Sequence, residues 1–138
     1  MKNIMMFVML AIPILASAQN DAEAMLVSMS KEVERSSCSS PFEYKELFSL
    51  AFSGVYKGAS STEWLSEINE KAFFKCPERF LKSLSSLSAK EQDQVLGYFG
   101  IVNPPWDIAE ALHPYENNHE LSAFVNAKLS GFKNVPKP

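Results

Sequence analysis

Both histidines of the chain sit in a Glu-x-x-His spacing: Glu110 with His113, and Glu116 with His119, with Glu120 directly after. On a helix this spacing puts a carboxylate and an imidazole on one face. Helical bundles use it to hold two metal ions, with two such pairs on separate helices and a Glu from each of two others. Here Pro114 separates the pairs, Glu116 falls outside a regular helix start, and the other segments offer no inward-facing Glu to complete a set. The expectation is an acidic, solvated loop bearing exposed imidazoles, with no metal and no cofactor.

Cys38 and Cys76 are the only cysteines and lie 38 positions apart. A redox pair is usually C-x-x-C, and a zinc site needs two further ligands. An even cysteine count in an oxidising compartment favours a structural disulfide. In the chain-entropy picture such a bond contributes roughly 4 kcal/mol. Catalytic motifs are absent: the five Gly are scattered singly, and neither G-x-S-x-G nor H-E-x-x-H occurs. A Ser-His-acid triad assembles in space and leaves no spacing to read, but two histidines near the C-terminus give it few routes. The sixteen acids make some carboxylate pair inevitable, so a glycosidase-type pair carries no information. The chain reads as a non-enzyme.

Thirteen Lys and Arg against sixteen Asp and Glu give a net charge of −3. That balance offers no electrostatic footprint for nucleic acid or anionic lipid. Residues 1–18, MKNIMMFVMLAIPILASA, carry Lys2, an apolar run and Ala16-Ser17-Ala18, the layout of a cleaved signal peptide. The run is too short to span a bilayer, which takes roughly 20 residues. A periplasmic or secreted product is expected, comprising residues 19–138 as a single helical domain, with no membrane contact after cleavage.

The elements that must position these residues read as helices throughout. Ala22, Leu26, Met29 and Val33 mark a helix over 21–36. Ser40-Pro41-Phe42-Glu43 is a capping-box start for a helix over 41–57, with Gly54 inside it and Gly58 ending it. Ser60 and Glu63 open another over 61–75, and a short one follows Pro77 to residue 86. Ser88 and Glu91 start a helix to about 99, stopped by Gly100. Asn103 caps a helix over 104–112, and Asn117 or Asn118 caps a last one to about 130, closed by Gly131 and Phe132. No segment alternates with period two, so no sheet is expected. The fold class is all-α: a compact bundle of about six to seven short helices stapled by one disulfide, which pairs helices two and three antiparallel.

Most of the aromatics are needed as core. Trp106 follows the rigid Asn103-Pro104-Pro105 turn, and Tyr115 lies in a polar loop. With Glu116 and His119 they form the expected partner-binding set, because Trp and Tyr anchor protein interfaces. The expected function is non-enzymatic: an inhibitor or immunity-type protein that neutralises a toxin or hydrolase. The alternatives are a periplasmic acid-stress-type chaperone and a carrier of a small hydrophobic ligand. A homodimer is a further option, since the second helix carries more apolar surface than one neighbour covers. In overall layout the chain resembles the periplasmic immunity proteins of type VI amidase systems, which are small, helical and disulfide-bearing.

Overall fold

The computed structural model describes residues 12–138, with side chains from Gln19 onward. The expected signal peptide falls mostly outside the described residues; the Ala18–Gln19 bond lies within the first helix. That helix, α1 (Ile12–Arg35), buries Leu26, Met29 and Val33 along one stripe. Arg35 in its last turn suits the negative end of the helix dipole.

The next helix is shorter than its sequence signals imply. Ser40 Oγ accepts from the Ser37 N–H (2.7 Å) and donates to the Ser37 carbonyl (3.0 Å), closing a tight turn. Committed there, it does not cap a helix. α2 (Tyr44–Phe52) starts behind Glu43, without a side-chain cap. It ends before Gly54, which takes φ 71° and so breaks the helix that the sequence ran through it. α3 (Ala59–Lys75) starts from Gly58, not from a Ser60 capping box. α4 (Pro77–Ser85) follows at once, with Pro77 in the first turn, where its missing N–H costs nothing.

The third capping box forms as expected. The Glu91 N–H donates to Ser88 Oγ (3.3 Å), and the Ser88 N–H donates to Glu91 Oε2 (3.0 Å). It opens α5 (Ala89–Leu96), which stops at Gly97, earlier than Gly100. α6 (Pro105–Leu112) runs into a 3-10 turn, His113–Tyr115. Asn118 Oδ1 accepts from the N–H groups of Glu120 (2.9 Å) and Leu121 (3.1 Å), so it caps the turn before α7 (Ser122–Lys128). Gly131 lies in a closing 3-10 turn, Ser130–Phe132, not in a left-handed cap.

Among the described residues there are seven α-helices and no strand. α3 packs mainly on α1 and α4, and α2 on α4 and α5. The Cys38–Cys76 disulfide joins the turn before α2 to the end of α3 as expected, but the expected α2–α3 pair is not a main contact, because α4 and α5 stand against the apolar α2 instead. Phe80 stands at the centre of the core, with ring centroids 5.2 Å from Phe48, 5.6 Å from Phe73 and 5.8 Å from Phe99. No described helix is long and apolar enough to cross a membrane.

Candidate functional site

Helix α3 should bury only apolar residues on its inner face, yet Ser66, Asn69 and Glu70 are all buried there. A buried carboxyl group is costly unless hydrogen bonds replace its water. Glu70, 0% exposed, has four such donors. Ser66 Oγ donates to Oε2 at 2.6 Å, and the Val102 N–H donates to the same oxygen at 3.2 Å. The Asn103 N–H and Nδ2 donate to Oε1 at 2.7 and 3.2 Å. From the preceding residue, Asn69 Nδ2 donates to the Tyr98 carbonyl at 3.0 Å. The polar line on α3 therefore clamps segment 98–103 from below.

This clamp also explains why Asn103 does not cap α6. Its side chain and its backbone N–H are both taken by Glu70, and Pro104 stands at the cap position instead. Gly100 bends the segment with φ 80°, and a Cβ there would come within 2.5 Å of the Phe132 ring. Only glycine meets both conditions.

Above the clamp the chain does the opposite of what a loop tip in water normally does. Ile101 and Val102 are 51% and 40% exposed, and Phe74 on α3 is 36% exposed. Phe74 and Val102 line a shallow groove of about 390 Å³ with Glu67, Lys71, Lys75 and Asn103. Its two lysines already have partners: Lys71 pairs with Glu34 (3.4 Å), and Lys75 donates to the Glu34 and Ser36 carbonyls. What remains without a partner in this lining is the exposed Glu67 and the apolar side chains of Phe74 and Val102.

The four residues singled out in the sequence are divided between two places. Trp106, half-buried in the first turn of α6, adjoins the clamped loop. Tyr115 lies beyond the end of α6, in the 3-10 turn, and packs against the core. Glu116 is mostly covered and faces His113 Nδ1 at 3.4 Å, and His119 is exposed. Among the described residues no three His, Cys, Asp or Glu side chains gather as a metal-ligand group. Sequence reasoning missed Glu70, Ile101 and Val102. The available signals were a Glu within the buried arc of a helix and an Ile-Val pair between Gly100 and Asn103-Pro104-Pro105.

No family model matches the chain, and no curated protein or solved structure matches it.

Proposed function

We propose that the protein is an exported, non-enzymatic binding protein that neutralises a partner protein, an inhibitor of the immunity type, and that it docks through the clamped edge formed by Ile101, Val102 and Phe74. The observation that carries this is the Glu70 clamp. A buried carboxyl group with four donors holds rigid a loop whose outward residues are apolar. Exposed apolar side chains on a fixed backbone lose little entropy on binding, which is how preorganised interfaces gain affinity. Trp106 follows the edge in the chain and is the one residue of the expected partner-binding set assigned to it. Export to the periplasm or medium is supported by the disulfide, which persists in oxidising compartments, and by the leader-like sequence of residues 1–18.

The test uses residues 19–138 with the disulfide intact and a photo-crosslinking amino acid at position 101. It is exposed to periplasmic extracts and to secretions of competing cells. An equimolar adduct with one toxin or hydrolase is expected. The unlabelled protein should inhibit that enzyme, and Ile101→Asp should abolish inhibition without changing the melting temperature. Inhibition that survives Ile101→Asp, or an adduct with an enzyme that stays fully active, would sink the reading.

A further inference from the structure

A second groove, of about 420 Å³, lies between the start of α2 and α4. Its floor is aromatic: Phe42, Tyr44 and Phe48, with the Phe42 ring edge-on to Tyr44 at 4.8 Å. Its rim is basic: Lys45, Arg79 and Lys82 against one acid, Glu43. Lys82 is balanced, with Glu78 at 2.9 Å and Glu120 at 3.2 Å. Lys45 and Arg79 are not. Among the described residues neither has a carboxylate oxygen within 4 Å, and Glu43 bonds neither of them.

Arg79 is held in place all the same. Its Nη1 donates to the carbonyls of Cys38 (3.1 Å) and Ser40 (2.6 Å), and its guanidinium carbon lies 5.5 Å from the centre of the Tyr44 ring. These acceptors are neutral, so the positive charge stays uncompensated. Nη2 and Nε make no hydrogen bond among the described residues. The Tyr44 hydroxyl also finds no partner there. Burial pushes its pKa above the ordinary tyrosine value and outweighs the opposite effect of Arg79, so it remains a donor at neutral pH. On a chain of net charge −3, two uncompensated cations and a free phenol surround an aromatic floor.

We propose that this groove binds a carboxylate carried on one apolar or aromatic body, with Arg79, Lys45 and the Tyr44 hydroxyl as its donors and Phe42, Phe48 and Leu87 packing the body. Arg presents a planar donor fork matched to a carboxylate, and the volume lies at the small end of ligand sites. Such a carboxylate comes either from a free small acid or from the last residue of a peptide.

The experiment is a heteronuclear NMR titration of residues 19–138 with phenylpropionate and with phenylpropionamide, then with a short Leu-terminated peptide as free acid and as amide. The acids are expected to shift resonances of Tyr44, Lys45 and Arg79, with the amides about tenfold weaker or more, the effect of losing a charge-assisted hydrogen bond. Lys45→Met should weaken the acid about tenfold and leave the fold intact, because Lys45 is exposed and unpaired. Ile101→Asp should leave it unchanged. Tighter binding of the peptide acid assigns the ligand to a chain terminus; tighter binding of phenylpropionate assigns it to a small acid. Equal affinities for acid and amide, shifts that map elsewhere, or no shift up to about 10 mM would overturn the proposal.

Discussion

Two irregular segments of this molecule are held by opposite means. The turn at residues 36–41 is fixed covalently, through Cys38–Cys76, and by cations that bind its carbonyls. It displays serines to water. The segment at 98–103 has no covalent tie. It is fixed by Asn69 and Glu70 beneath it and displays Ile101 and Val102. A disulfide acts mainly by restricting the unfolded chain, so it stabilises the whole fold and specifies little about the local surface. A buried carboxyl group acts only in the folded state and only on the groups it bonds, so it specifies the path of one short piece of backbone. The first device suits holding a fold together outside the cell; the second suits presenting a shape.

This contrast can be broken by removing each device in turn. Replacing both cysteines with Ser should give the largest loss, about 4 kcal/mol in denaturant unfolding. The amides of Val102 and Asn103 should nevertheless remain the better protected of the two segments in the folded state. Glu70→Ala should cost about 3 kcal/mol, because the N–H groups of Val102 and Asn103 and the side chains of Ser66 and Asn103 lose their acceptor. Its local signature should be new mobility at 100–104 with the α1–α3 packing retained. If the double Cys variant loosened 98–103 more than Glu70→Ala did, the division of labour would be wrong.

A smaller effect concerns how 98–103 is wired to α1. The Tyr98 hydroxyl donates to the Tyr56 carbonyl (2.8 Å), and the Tyr56 hydroxyl donates to the Ala22 carbonyl (2.9 Å). Tyr56→Phe should cost about 1 kcal/mol. Burial, reinforced by Tyr98, raises the Tyr56 pKa in the folded protein. A raised folded pKa means stability that is fully present below the unfolded tyrosine value of about 10 and lost as pH rises through the folded value. Alkaline unfolding curves should therefore be blunted in Tyr56→Phe. Least of all, Ile101→Asp should alter stability by less than about 0.5 kcal/mol, because its side chain faces water. It sharpens the comparison by separating the surface proposed to bind from the surfaces that hold the fold.

Much of the fold was legible because helices declare themselves locally. The stripe of Leu26, Met29 and Val33, the restart at Pro77 and the capping box of Ser88 and Glu91 all follow from spacing alone. The failures have a common cause. Ser40 and Asn103 are good caps in isolation, but the fold offered each a better bond, Ser40 within its own turn and Asn103 to a carboxyl group 33 positions away. Gly54 ended a helix that apolar patterning alone would have extended, since periodicity records burial and not backbone angle. The clamped edge was the hardest to see. Its meaning depends on a long-range contact between α3 and a loop, and no local signal carries such a contact. Trp106 marked the neighbourhood without marking the residues that form the edge.

The most direct test is native-state hydrogen exchange at the amides of Val102 and Asn103, in the wild-type protein and in Glu70→Ala, which removes both acceptor oxygens. In the wild type, slow exchange is expected at both, despite their place in an exposed loop. In Glu70→Ala both should exchange like open-loop amides while those of α1 and α3 keep their protection. Fast exchange in the wild type, or protection unchanged by the substitution, would contradict a loop held rigid by Glu70.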